Sequence, residues 1–267
     1  IPTLVPRQKL PNAIALNSIQ FNLAQMVGPA FGGIVLVGLG MVACFGLNGL
    51  SFLAVIVVLG LMRLPQLNVS TDRRIMTELK SGLSYVHHKK ALLALTLLAM
   101  ATTMFGLPVR AFLPVFAGNP DRLWRMMTAF GGGSVAGALV VAWLGQFKHM
   151  GHTLLLVQLA FAGLVALFAL LPLTPFSYVI LFLGGAALLI VFSLTNSLVQ
   201  LAIPNEIRGR VLSIYLVAFR GGMPIGSLIS GYCITLFSAS SVIAVNGALL
   251  ALVALYFLIR SHGVREL

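Results

Sequence analysis

Arginines and uncharged polar residues interrupt long apolar stretches of this 267-residue chain. Arg110 and Arg220 lie inside such stretches, and we expect open space beside Arg220 at Gly221 and Gly222. Because a charge in an apolar environment costs free energy, it tends to face water, a ligand or an opposite charge. A guanidinium binds anions through a planar fork of donors, so Arg220 predicts a site for an anionic or strongly hydrogen-bonding ligand such as a catecholate. The alternatives are a carboxylate partner for Arg220 and outward snorkelling for Arg110.

Helical spacing groups other polar residues on common faces. Ser18, Asn22, Gln25 and Pro29 recur at i, i+4, i+7 and i+11. Thr96, Thr103 and Arg110 are seven apart, and Asn196 and Gln200 are four apart. The predicted cavity residues are Asn22, Gln25, Thr103, Arg110, Asn196, Gln200 and Arg220. The alternative is hydrogen bonding between helices, worth about 0.6 kcal/mol per bond. For Asn48 and Asn246, that scaffold role is the prediction.

Catalytic chemistry has little support in the sequence. The carboxylates all lie in loops or tails, at Asp72, Glu78, Asp121, Glu206 and Glu266. His149 and His152 form an H-x-x-H pair without a third ligand nearby, which does not make a zinc site. No Ser-His-Asp arrangement, phosphate-binding loop or dinucleotide fingerprint is present. We therefore expect no enzyme activity, no metal and no cofactor, and this chain lacks the motif of an ATP-driven pump.

Eight apolar segments, each near the roughly 20 residues that cross a bilayer, must position these side chains. They cover residues 18–38, 41–62, 91–117, 123–145, 153–172, 176–199, 211–236 and 239–260. Hydrophobic residues make up 59% of the chain, charged residues 8%, and the mean hydropathy is +1.04. A soluble domain would not carry such a surface. The sequence predicts an all-α polytopic membrane protein.

Lys and Arg fall on alternate sides of these segments. Thirteen of the 17 lie on one side: Arg7, Lys9, Arg63, Arg73, Arg74, Lys80, Lys89, Lys90, Lys148, Arg208, Arg210, Arg260 and Arg265. By the positive-inside rule this side, with both ends of the chain, is predicted to be cytoplasmic. The net charge of +12 therefore indicates topology and attraction to membrane lipid, not nucleic-acid binding.

An internal repeat relates the two ends of the chain. An offset of 198 positions brings Pro6 onto Pro204, Gly28 onto Gly226, Gly33 onto Gly231, and Asn48-Gly49 onto Asn246-Gly247. Parallel repeats of six helices build large transporters. We expect residues 1–62 to be the last two helices of an N-terminal half, 63–90 a cytoplasmic linker with an amphipathic helix, and 91–267 the C-terminal half. Roughly 110 residues with four further helices would then precede the chain, giving twelve in all.

Two runs resemble the major facilitator superfamily, in the branch with enterobactin exporters and macrolide efflux proteins. LVPRQKLPNAIALNSIQFNLAQMVGPAFGG, residues 4–33, resembles the fourth loop and fifth helix of that branch. VQLAIPNEIRGRVLSIYLVAFRGGMPIGSLISG, residues 199–231, resembles the tenth loop and eleventh helix. The resemblance implies helices five to twelve of a major facilitator fold. It also implies that helices five, seven and ten border a central cavity.

Gating residues are implied by the same resemblance. Gly28-Pro29 and Gly32-Gly33 match the end of the helix-five antiporter motif, and Arg208-Gly209-Arg210 match the basic cytoplasmic loop. Proline also kinks a helix, and glycines four apart let another helix approach closely, whatever the family. The alternative is plain helix packing, which we predict for Gly133 and Gly137. The loop around Lys148 lacks the acidic residue that such loops often carry.

These features predict a monomeric secondary active exporter in the cytoplasmic (inner) membrane. It would move a small molecule, a siderophore or a drug, by alternating access around a midplane site. Proton coupling is expected, with the coupling acid in the upstream helices, because no carboxylate lies within the spans here. The alternative is a polytopic membrane scaffold, or a degenerate transporter that moves nothing.

Overall fold

The computed structural model describes residues 31, 35, 39–61, 75–145, 147–171, 174–204, 207–260 and 263–265. The chain divides into unit 1, Ile1–Asp72, and unit 2, Arg73–Leu267. In unit 1 the helix α1 covers Leu39–Leu61, close to the predicted span 41–62. The predicted span 18–38 falls almost entirely outside the described residues.

Unit 2 is a bundle of helices that cross the membrane in alternate directions. A short helix, α2 (Ile75–His88), precedes a broken span made of α3 (Lys90–Ala101), a π-helical segment (Thr102–Gly106), α4 (Pro108–Ala111) and α5 (Leu113–Ala117). Five continuous helices come next: α6 (Pro120–Leu144), α7 (Met150–Leu170), α8 (Pro175–Ala202), α9 (Arg208–Leu236) and α10 (Ala239–Arg260). Across both units, seven helices of the described residues are long and apolar enough to span a membrane. The predicted all-α polytopic fold is confirmed.

Helix α2 lies within residues 63–90, the segment that the sequence predicts to be a linker with an amphipathic helix. Gly82 and Val86, one turn apart, are buried, whereas Leu83 is 59% exposed. A Cβ on Gly82 would lie 2.8 Å from Ile214 Cδ1 and 3.2 Å from the carbonyl oxygen of Arg210. The missing side chain thus lets α2 pack closely against the start of α9, and this contact turns Leu83 outward.

Small residues let the backbones of neighbouring long helices come into direct contact. Gly133 and Gly137 of α6 face the backbone of Phe182 and Ala186 in α8, and Gly185 of α8 faces Phe130. On another helix pair, a Cβ on Gly247 of α10 would lie 2.8 Å from the backbone nitrogen of Ala166 in α7. The packing role predicted for Gly133 and Gly137 is confirmed. Such contacts suit a membrane protein, because lipid supplies no hydrophobic drive for helices to associate.

The buried side chains form two clusters at successive depths of unit 2. One includes Leu95, Leu154, Leu198 and Val211 near the end where α3 and α9 begin. The other includes Leu113, Met126, Phe168 and Ile180 near the opposite end. Outside these clusters many large apolar side chains are exposed, with Trp143 at 86% and Leu228 at 75%. Exposed apolar surface of this extent indicates contact with lipid or with further helices.

Candidate functional site

Four uncharged polar side chains lie along one face of α8. Ser193, Asn196, Ser197 and Gln200 recur at i, i+3, i+4 and i+7, and all four are half-buried. The neighbouring Thr195 is buried instead and donates its hydroxyl to the carbonyl oxygen of Val191 at 2.7 Å. We call the four residues the α8 polar face. The face contains Asn196 and Gln200, which the sequence predicted, and adds two serines that the prediction missed.

The α8 polar face has no hydrogen-bond partners among the described residues, so its donors and acceptors are available. A polar group inside a membrane protein gains free energy when it finds water or a ligand. Carboxamides offer both donors and acceptors, and hydroxyls can act as either. The face can therefore bind a molecule that carries several hydrogen-bonding groups.

An aromatic cluster connects the start of the α8 polar face to α9. The ring centroids of Phe192 and Phe219 are 5.0 Å apart at 72°, an edge-to-face contact. Tyr215 stacks on Phe219 with centroids 5.8 Å apart at 22°. Phe192 lies one turn before Asn196, so an aromatic wall and hydrogen-bonding groups occur side by side. That combination is typical of small-molecule sites.

Arg220 is exposed and lies on the side of α9 away from the helix contacts. It precedes the buried Gly222 by two residues, which places it about 200° around the helix from that contact. Within the described part of the chain, Arg220 forms no ion pair. The open space predicted beside it is present at Gly221. The prediction is wrong for Gly222, which packs against Met100, Thr103 and Met104.

The π-helical segment changes the placement of Thr103 and Arg110. Thr103 is 1% exposed, and its hydroxyl donates to the carbonyl oxygens of Ala99 at 3.1 Å and Met100 at 3.0 Å. Arg110 is exposed, so the predicted common face of Thr96, Thr103 and Arg110 is wrong. A π turn inserts one residue and rotates the later part of the helix, and the break near Pro108 adds to this rotation.

Helices α3 and α9 cross at this irregular segment. Pro108 has no N–H to donate to the carbonyl of Met104, four residues earlier, and Gly226 packs directly on that carbonyl. Gly222 and Gly226 are one turn apart, and Pro224 lies between them inside α9. Both helices thus carry a backbone irregularity at the same crossing. The sequence signals were Gly106, Pro108 and Pro114 in one helix and the glycines around Pro224 in the other.

The first turn of α9, which contains the predicted residues Arg208, Gly209 and Arg210, lies where α2 packs on this helix. Arg208 begins α9 half-buried, and its Nε is buried without a hydrogen-bond partner among the described residues. Gly209 and Arg210 are exposed, and the Arg210 carbonyl faces Gly82 of α2. The arginine cluster therefore lies where α2 docks on α9, a position from which α2 can move together with α9.

Two buried polar residues differ in how they are satisfied. Asn246 of α10 donates from Nδ2 to Oγ of Ser230 in α9 at 2.9 Å, which confirms its predicted scaffold role. Gln158 of α7 is 0% exposed, yet neither its Nε2 nor its Oε1 has a partner among the described residues. Gln158 was not among the predicted residues, although a lone carboxamide in an apolar run was a visible signal.

Comparison with known proteins decides the family. Residues 1–266 match the family described as transmembrane secretion effector, a branch of the major facilitator superfamily. The chain belongs to this family. The predicted resemblance is thereby confirmed.

Curated relatives of the chain are named as exporters or efflux pumps. The multidrug efflux pump Tap of Mycolicibacterium fortuitum is 25% identical over 232 residues, 83% of this chain and 56% of the relative. The enterobactin exporter EntS of Shigella boydii serotype 18 is 26% identical over 239 residues, 86% of this chain and 56% of the relative. The chain thus spans about half the length of these relatives. No solved structure matches the chain.

Several of the predicted site residues lie outside the described residues: Asn22, Gln25, Gly28, Pro29, Gly32 and Gly33. Among the described ones, Asn196 and Gln200 share the α8 polar face, and Phe192 and Phe219 link that face to the helix of Arg220. Thr103 packs under Gly222, and Arg110 lies past the π-helical segment. The cavity and gating roles of all these residues stay predictions.

Proposed function

We propose that this chain forms part of a secondary active exporter of a small molecule. The observation that carries the proposal is the α8 polar face, four hydrogen-bonding side chains without partners among the described residues and inside a membrane span. A helix that only faced lipid would not keep such a face. The named activities of the Tap and EntS relatives support export as the direction.

The proposed substrate site combines the α8 polar face with Arg220 and the aromatic cluster. The carboxamides of Asn196 and Gln200 hydrogen-bond the substrate, Phe192 and Phe219 pack against its apolar part, and Arg220 attracts an anionic group. Asn22, Gln25, Thr103 and Arg110 stay proposed cavity residues. Thr103 would act from its buried position by fixing the crossing of α3 and α9, and Arg110 by attracting anions at its exposed site.

Alternating access is the proposed mechanism, with two six-helix halves that rock around this site. Residues 1–62 would end the first half, 63–90 link the halves, and 91–267 form the second half. The paired irregularities at Met104–Pro108 and Pro224 offer a place where α3 and α9 can bend together. Gly28, Pro29, Gly32 and Gly33 would do the same in the first half, while Arg208, Gly209 and Arg210 would control the loop before α9.

Proton coupling is proposed as the energy source. Of the carboxylates among the described residues, Glu78 lies in α2, and Asp121 lies exposed in the first turn of α6, at the very end of that span. A proton carrier within the membrane normally needs an embedded acid, so the coupling acid would be supplied outside these spans.

The proposed location is the cytoplasmic (inner) membrane, with a monomer as the working unit. Because consecutive spans alternate in direction, the basic residues at Lys89, Lys148, Arg208 and Arg260 fall at one end of the bundle. By the positive-inside rule that end, with both ends of the chain, would be cytoplasmic.

Transport in inside-out vesicles tests the proposal. Vesicles from cells that express the protein should accumulate enterobactin when the interior is made acidic, and a protonophore should abolish accumulation. Ethidium serves as a cationic comparison probe. Vesicles without the protein, and vesicles supplied with ATP but no gradient, are the controls. If the protein is only a membrane scaffold, neither probe will accumulate above the empty-vesicle level, and the proposal fails.

A further inference from the structure

A cavity of about 430 Å³ opens at the junction of α2 and α3. We call it the linker pocket. It is lined by Leu83, Ser84, Val86, His87, His88 and Leu93. Since a water molecule occupies roughly 30 Å³ in the liquid, the pocket has room for far more than one ordered water. Three of the six lining residues are apolar, so a pocket filled only with water would leave much apolar wall surface in contact with water.

Lysines stand at the rim of the linker pocket. Lys89 and Lys90 follow His88 directly and are exposed. Lys89 is the N-cap of α3, and its carbonyl oxygen accepts from the backbone N–H of Leu93 at 3.0 Å, so Lys89 lies one turn before a wall residue at the start of that helix. The nearest acid along α2 is Glu78, nine residues before His87 and roughly 13 Å away along the axis. The rim is therefore positively charged and attracts anions.

Of the two histidines in the wall, His88 has a ring orientation fixed by a hydrogen bond. Nδ1 of His88 lies 2.7 Å from the carbonyl oxygen of Ser84, and a carbonyl only accepts, so Nδ1 carries the proton in that bond. The other ring nitrogen, Nε2, is left for another partner. The His87 ring stands edge-on to it, with centroids 6.0 Å apart at 84°. The polar side of the pocket is thus held in place by its own helix.

The linker pocket lies at the edge of the membrane. The span that includes α3 begins at Lys90, so Leu93 is within the first turn of the apolar region. On the other side of α3, a Cβ on Gly263 would lie 3.5 Å from Cβ of Ala91, which places the C-terminal turn against this helix start. The pocket therefore presents cations at the level of lipid headgroups and an apolar wall just below them.

We propose that the linker pocket binds an anionic phospholipid such as phosphatidylglycerol. Lys89 and Lys90 contact the phosphate, Nε2 of His88 accepts a hydrogen bond from a hydroxyl of the glycerol headgroup, and an acyl chain lies along Leu83, Val86 and Leu93. The same α2 helix packs on the start of α9, so bound lipid would hold the linker against the transport bundle. This inference concerns the lipid only and does not depend on which substrate is exported.

Native mass spectrometry of the purified protein can test this site. Phosphatidylglycerol should be retained more tightly than phosphatidylethanolamine with the same acyl chains. Because a basic residue at the membrane surface is worth about a fivefold change in binding, Lys89→Gln should weaken retention about fivefold, and the Lys89→Gln/Lys90→Gln double variant roughly 30-fold. Lys148→Gln is the matched control, since it removes one exposed lysine at the same end of the bundle.

A second variant separates lipid from headgroup binding. Leu83 is exposed, so Leu83→Glu should fold normally yet reduce phosphatidylglycerol retention by obstructing the acyl chain. Soluble glycerol 3-phosphate should compete poorly with the lipid. If glycerol 3-phosphate competes as strongly as the lipid does, the pocket is a site for a soluble phosphate and not for a phospholipid. If Lys89→Gln and Lys148→Gln reduce phosphatidylglycerol retention equally, the reduction is a general effect of the lost charge. Either outcome overturns the proposal.

Discussion

Gly226→Ala should destabilise the membrane bundle strongly, by about 3 kcal/mol on the scale of overpacked cores. A Cβ at this position would overlap the carbonyl group of Met104 and lie 2.8 Å from its Cα. The three nearest atoms all belong to the backbone of Met104, so no flexible side chain can move aside. The melting temperature of the purified protein in detergent should therefore fall by roughly 10 °C.

Gly221→Ala is the matched control in the same helix. Nothing lies within 4 Å of a Cβ at Gly221, so this variant should melt at the wild-type temperature or slightly above it, because alanine favours helix. Equal melting temperatures for the two variants would show that α9 does not pack on the π-helical segment at the Met104 carbonyl.

Replacing Arg220 should have the largest effect on transport. A hydrogen bond to a charged group contributes about 1.5–3 kcal/mol, so Arg220→Gln should reduce enterobactin uptake into inside-out vesicles roughly ten- to hundredfold. Arg220→Lys should also lose much of the uptake, because a point charge does not reproduce the planar fork. Both variants should reach the membrane in wild-type amounts, since Arg220 is exposed and makes no ion pair within the described residues.

Arg125→Gln provides the comparison for Arg220. Arg125 is also exposed, on α6, and removing it changes the net charge equally. Vesicles that contain the Arg125→Gln variant should take up enterobactin at the wild-type rate. If Arg220→Gln and Arg220→Lys both transport enterobactin and ethidium at wild-type rates, Arg220 is structural and the anionic substrate is wrong.

The membrane spans could be predicted from the sequence because length and hydropathy determine them locally. Predicted span 239–260 and helix α10, Ala239–Arg260, coincide, and span 211–236 differs from α9 by three residues at one end. Asn246 was also assignable, since its repeat partner Asn48 pointed to a scaffold role. These features depend on one segment at a time.

The errors arose where two segments determine the geometry. The register of Arg110 depends on a π turn whose wide hydrogen bond, from Leu107 to Thr102 at 3.2 Å, no single-helix spacing reveals. Gly222 looked like open space beside Arg220 because its partner helix lies more than 100 residues away. Ser193 and Ser197 could have been found, because they extend the spacing of Asn196 and Gln200 on the same face.

Accessibility of the α8 polar face tests the central claim most directly. With Cys44 and Cys233 replaced by serine, Ser197→Cys should react quickly with a membrane-impermeant thiol reagent in inside-out vesicles, because a thiol ionises and reacts only where water reaches it. Leu156→Cys, exposed on α7 at a similar depth, should face lipid and stay unreactive. Reaction of Ser197→Cys no faster than that of Leu156→Cys would contradict a water-filled cavity along α8.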